Sequence, residues 1–165
     1  MIEIKDFNFN DIDTLSIIMK DAFNFDSRMH LNKDDGPEGY DDGNFIKKWF
    51  LLDSASPYTI YFNGEIIGAI NLFINDKTNE NFLGCIFISP KYENLGLGTK
   101  VWKMIEKMYP KTKVWKTETP LFSMRNHNFY INKCGFHCVK IDNPKDKENG
   151  TYILEKVMIR GLVYA

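Results

Sequence analysis

Cys85-Ile86-Phe87-Ile88-Ser89-Pro90-Lys91-Tyr92-Glu93-Asn94-Leu95-Gly96-Leu97-Gly98-Thr99 reads as a buried strand that turns through a glycine-bearing loop into an amphipathic helix. A helix start leaves its first N–H groups without partners, and the helix dipole is positive at that end. Glycines just before it let a ligand approach the backbone closely. This arrangement is a ready anion site, and it points to a phosphate-bearing ligand.

Working outward, the helix spans about Leu97 to Tyr109, with Val101, Trp102, Ile105, Met108 and Tyr109 on one face and Pro110 as its stop. Upstream, Tyr58 to Phe62, then Asn63-Gly64, then Glu65 to Ile74 predicts a hairpin, because Asn-Gly supplies the positive φ angles of a type I′ turn. Gly68 marks a candidate bulge. A strand from Phe82 to Ile88 follows. Nearer the N-terminus, Ile2 to Phe7 alternates as a strand and Asp11 to Phe25 is helical, with Ile12, Leu15, Ile18, Met19, Ala22 and Phe23 on one face. Asn32 to Asn44 is a loop, and Phe45 to Leu52 a short helix. After the central helix come a strand at Lys113 to Glu118 and a helix from about Ser123 to Cys134 that ends at Gly135. Closing strands follow at Phe136 to Ile141 and Thr151 to Ile159. The order is that of a mixed α/β (α+β) layer fold, with a mostly antiparallel sheet of about six or seven strands flanked by about four helices.

The 165 residues fit one domain, and 44% hydrophobic with 26% charged residues is an ordinary globular composition. A formal net charge of −1 gives no electrostatic case for nucleic acid. No apolar run has spanning length and the N-terminus lacks a signal-peptide pattern, so no membrane partner is expected and the cytoplasm is the default. Cys85, Cys134 and Cys138 suit a reducing compartment and read as small buried thiols. With His30, His127 and His137 scattered, no zinc-ligand spacing exists and no metal is expected. Trp49, Trp102 and Trp115 read as core.

Two common phosphate loops are excluded. A nucleotide P-loop needs Lys-Ser/Thr after the last glycine, whereas Gly98 precedes Thr99-Lys100. A dinucleotide fingerprint needs a third glycine where Val101 stands. The joint pattern across residues 58–142 instead resembles the GNAT N-acetyltransferase superfamily: strand, proline, polar turn, Gly-x-Gly, helix, strand, then a helix with Phe129-Tyr130 ending at Gly135-Phe136. The resemblance implies a single acetyltransferase domain over residues 1–165 with acetyl-CoA as co-substrate. Glu93, Asn94, Leu95, Gly96, Leu97, Gly98 and Thr99 would cradle its pyrophosphate, and the backbone of Ile86, Phe87 and Ile88 would bind its pantetheine arm as a sheet edge binds a strand.

The family usually carries Arg or Gln where Glu93 stands. A carboxylate there repels a pyrophosphate, so Glu93 is expected to point into water. An asparagine that often holds the cofactor is replaced by Ser123, with Asn126 one turn later as its substitute. Gly135-Phe136 also lies one residue further from Tyr130 than in many relatives.

The implied chemistry is direct acetyl transfer to an amine in a ternary complex. A lysine-type amine, with a pKa of about 10.4, has only one molecule in a few thousand neutral at pH 7, a deficit of roughly 4–5 kcal/mol that makes a base useful. By resemblance Tyr130 is the acid for the leaving thiolate, and Glu118, twelve residues earlier at a strand end, is the base. The expected partner is a small cationic amine or a peptide amine. Asp34, Asp35, Glu38, Asp41 and Asp42 either steer a cationic acceptor or cap the second helix and face solvent. The competing functions are a protein N-terminal acetyltransferase and a non-catalytic acyl-CoA-binding sensor or assembly module. The apolar tail Gly161-Leu162-Val163-Tyr164-Ala165 leaves room for a homodimer.

Overall fold

The computed structural model describes residues 1–158. The elements run β1 (Ile2–Asp6), α1 (Ile12–Leu31), α2 (Asn44–Trp49), β2 (Ala55–Phe62), β3 (Glu65–Phe73), β4 (Glu80–Ile88), α3 (Leu97–Met108), β5 (Val114–Pro120), α4 (Met124–His127), β6 (His137–Asp142) and β7 (Thr151–Val157). One seven-stranded sheet has the order β1-β2-β3-β4-β5-β7-β6, antiparallel except where β4 meets β5. This is the mixed layer fold anticipated from the sequence. The expected strand end at Ile159 and the apolar tail lie outside the described residues.

Each sheet face carries its own core. On one side α3 and the turn that follows α4 pack Val101, Trp102, Ile105 and Tyr130 onto Ile70, Leu72, Leu83, Trp115 and Leu154. On the other, α1 and α2 pack Ile12, Leu15, Met19, Ala22, Ile46 and Phe50 onto Ala69 and Phe87. Trp102 and Trp115 meet edge to face inside the first core, but Trp49 is 39% exposed, with the Lys48 ammonium over its ring. Of the cysteines, Cys134 is buried, Cys85 half-buried and Cys138 exposed, so the expectation of three buried thiols fails at Cys138.

Helix α1 continues six residues beyond Phe25, to a left-handed cap at Asn32. The apolar stripe stops at Phe23 because the helix there no longer faces the sheet core. Its inward side chains become Asn24, Asp26 and Ser27, all buried, with Asp26 hydrogen-bonded to the start of α4. The hairpin turn forms as read, with Asn63 at φ 50° and Gly64 at φ 85°. A register shift leaves Ile67 as the extra residue beside Gly68, whose missing Cβ would sit 2.0 Å from the Phe87 carbonyl oxygen of β4. Helix α4 runs on into a π-helical turn (Asn128–Lys133), closed by Cys134 N–H donating to the Phe129 carbonyl. That wider turn spans most of the stretch from Tyr130 to Gly135 while Phe136 stays fully buried.

Candidate active site

Strands β4 and β5 pair over only three positions, Glu80–Phe82 against Val114–Lys116. Their last tie is the Thr117 hydroxyl, which donates to the Leu83 carbonyl at 2.8 Å. Next comes a bulge: the register between β3 and β4 skips Gly84. A bulge bends the strand that bears it. From there β4 stays with β3 as far as Ile88, and β5 stays with β7 as far as Pro120. The two strands bound a wedge, and the backbone edge of Ile86, Phe87 and Ile88 lines one wall of it.

At the mouth of the wedge the chain makes a short 3₁₀ turn (Pro90–Tyr92) and enters α3. Asn94 and Gly96 both have left-handed backbones, at φ 62° and 69°. Among the described residues, no acceptor takes the N–H groups of Asn94, Leu95, Gly96, Leu97, Gly98 or Thr99; the first loop-side bond is Lys100 N–H to the Gly96 carbonyl. No side chain caps α3 and its first turn holds no acidic residue. Nothing lies within 4 Å of a Cβ at Gly96, so its role is conformational and leaves the amides open. Gly98 differs. A Cβ there would come within 2.9 Å of the Phe129 ring, so this glycine also lets α3 approach α4. Six donors and a helix dipole fit a diphosphate.

Tyr130 lies inside the wedge, 7% exposed, in edge-on contact with Phe129 and Phe136. Burial pushes its phenol well above the ordinary 10, and the Cys85 and Cys134 thiols and Asp26 add to this. Burial alone pushes the Cys85 thiol to about 12, so it stays a neutral wall residue. Glu118 does not end its strand; it lies in mid-β5, with Thr119 and Pro120 beyond it. Trp115, Thr117 and Thr119 are buried on one face, which turns Glu118 to the other, exposed and without ion pair among the described residues. Tyr130 and Glu118 therefore belong to opposite faces of the split sheet.

Other expectations are corrected. Glu93 does not point into water: its carboxylate accepts from the Arg125 guanidinium at 3.3 Å. Arg125 also donates to Asp26 at 3.2 Å, and Ser123 Oγ donates to the same Asp26 oxygen at 2.9 Å. Ser123 is thus an anchor for Asp26 and the cap of α4, accepting from Asn126 N–H at 3.3 Å. The Asn126 side chain makes no hydrogen bond to a described residue and is free for a ligand. In the acidic loop, Asp34 pairs with Arg28, Asp35 with Lys33, and Asp42 accepts from Asn44 N–H at the start of α2. Only Glu38 and Asp41 are left without hydrogen bond or ion pair among the described residues, and the cap of α2 itself is Gly43. Asp26, His30 and Arg125 escaped sequence reading; the one signal was polar side chains on the inward face of a helix.

Residues 19–136 match the acetyltransferase (GNAT) family, and the chain belongs to that family of acetyl-CoA-dependent acyltransferases. It is 41% identical over 122 residues to the uncharacterized protein YrkN of Bacillus subtilis strain 168, a match spanning 71% of this chain and 65% of that protein. The fold is shared with the ribosomal-protein-S18-alanine N-acetyltransferase of Escherichia coli, at TM-score 0.72, 16% identity and full coverage of both chains. It is also shared with the PaiA N-acetyltransferase of Thermoplasma acidophilum solved with coenzyme A, at TM-score 0.71 and 19% identity, covering 96% of this chain and 99% of that one. The spermidine N-acetyltransferase of Vibrio cholerae, solved with CoA and spermine, aligns at TM-score 0.69 and 11% identity over 94% and 95%. No described helix is long and apolar enough to cross a membrane.

Proposed function

We propose that this chain is an N-acetyltransferase that moves the acetyl group of acetyl-CoA directly to a primary amine within a ternary complex. The observation that carries the reading is the combination of six free amides at residues 94–99, an edge at Ile86–Ile88 that β5 does not pair, and a buried Tyr130. Acetyl-CoA supplies an activated acyl group on a thiol leaving group. The amides of residues 94–99 hold its diphosphate, Asn126 adds a side-chain contact, and β4 aligns the pantetheine arm. Tyr130 donates a hydrogen bond toward the thioester sulfur. Burial raises its pKa and keeps the phenol protonated, so it has a proton to pass to the coenzyme A sulfur as the C–S bond breaks, and it regains one from solvent. Glu118, on the opposite face, accepts the amine proton directly or through water, which lets amine and thiolate use different faces of the wedge. Three free cysteines fit a reducing, cytoplasmic setting.

The test is thiol release from acetyl-CoA across a panel of small cationic amines and peptide N-termini. Turnover of at least one amine is expected, with Glu118→Gln lowering kcat about a hundredfold or more while coenzyme A still binds. Tight coenzyme A binding with no turnover of any acceptor would favour the sensor reading.

A further inference from the structure

Beside six unpaired amides, a carboxylate at Glu93 is an electrostatic conflict. An anion bound there would face a like charge nearby, which opposes binding. Around it, Arg125 donates through one guanidinium nitrogen to Glu93 at 3.3 Å and through Nε to Asp26 at 3.2 Å, while its Cζ lies 5.4 Å from the centre of the Phe25 ring. Asp26 is fixed in turn by Ser123 Oγ at 2.9 Å and flanked by His30 Nε2 at 3.5 Å. The guanidinium is therefore held by α1 from below and points at the one carboxylate of the loop. Asp26 is buried, while Arg125 and Glu93 are only partly exposed, with side-chain accessibilities of 36% and 24%, so water screens the contact incompletely.

Resting on the proposed coenzyme A site, we propose that Arg125 is a positioning residue for the cofactor. It draws the Glu93 carboxylate toward α1 and neutralises it, so that the amide cup can accept a diphosphate. Arg125 acts through Glu93 and touches no phosphate oxygen. This separates it from a direct phosphate ligand, whose loss would weaken binding whatever stands at position 93.

The experiment is calorimetry of the full chain with coenzyme A, and with pantetheine, which lacks the diphosphate, for wild type, Arg125→Met, Glu93→Gln and the double variant. Thermal melts report folding of each. Arg125→Met should weaken coenzyme A about tenfold and leave pantetheine within about twofold. Glu93→Gln should bind as tightly as wild type or tighter, and adding it to Arg125→Met should restore affinity to within about threefold of Glu93→Gln alone. A double variant as weak as Arg125→Met overturns the proposal, as does Arg125→Met binding like wild type. Should Arg125→Met fail to fold, Arg125→Gln takes its place, and adding Glu93→Gln to it must restore coenzyme A affinity for the proposal to stand. Wild-type protein that binds no coenzyme A would sink the cofactor reading, and this inference with it.

Discussion

At the scale of single residues, Tyr130 carries the sharpest expectation. Its hydroxyl is buried beside two thiols and the Asp26 carboxylate, all of which disfavour the phenolate. The group therefore stays protonated above its ordinary 10, and its folded-state shift places ionisation on the alkaline side of the working range. Turnover should climb with pH as the acceptor amine loses its proton and should not decline below about pH 10 on account of Tyr130. Tyr130→Phe should lower kcat about a hundredfold, the low end of what a positioned proton donor contributes. Coenzyme A affinity should stay within about twofold, because in the proposed site the amides of residues 94–99, Asn126 and the β4 edge hold the diphosphate and the pantetheine. Equal turnover by the phenylalanine variant would remove Tyr130 from the chemistry. The neighbouring loop makes a second residue-scale test. Gly96 has a left-handed backbone with open space around it, so Gly96→Ala meets no clash but loses about 1 kcal/mol to backbone strain. A modest loss of stability with a larger loss of coenzyme A affinity is the expected pair of readings from melts and calorimetry.

Among the elements, α4 and the pair β3–β4 show what sequence patterns convey and where they stop. Ser123 both caps α4 and donates to the buried Asp26, so Ser123→Ala removes a cap and leaves a buried carboxylate one donor short. A loss of about 2 kcal/mol is expected, seen as a fall of about 4–8 °C in Tm for a chain of this size. Gly68→Ala should be worse, because its Cβ would lie 2.0 Å from the Phe87 carbonyl oxygen and β3 and β4 must part to admit it. The hairpin, α3 and their stops were legible because they are written in local chemistry: Asn63-Gly64, the apolar stripe of Leu97–Met108, and Pro110. The last two turns of α1 were not, because polar residues there meet polar partners nearly a hundred residues away, as Asp26 meets Ser123 and Arg125. The loop and Tyr130 could be picked out as candidates for the same local reason. Glu93 was misjudged for the opposite reason: its partner is on α4, and no spacing along the chain announces an ion pair formed across a wedge.

For the whole molecule, the split between β4 and β5 makes the sheet itself part of the site. Seven strands form one sheet, yet among the described residues β4 and β5 pair at three positions, all at the end remote from Ile88. The Asn81–Thr112 and Lys116–Glu80 contacts also lie there, with the Thr117 hydroxyl bond just beyond. A pantetheine arm hydrogen-bonded along β4 would act as a short extra strand in that gap, joining the half built on β3 and β4 to the half built on β5 and β7. Ligand binding to the folded state alone stabilises by about 2.7 kcal/mol at a hundredfold excess over Kd. With about 2–4 °C of Tm per kcal/mol, coenzyme A at that excess should raise Tm by roughly 5–11 °C. Hydrogen exchange should give the location. Slowing is expected at the wedge-facing amides of Gly84–Ile88 and at residues 94–99, whereas β1 and β2, already paired on the far side of β3, should change little. Protection spread evenly over all strands would mean that coenzyme A stabilises the fold without entering the wedge, and the cleft would lose its claim to be the binding site.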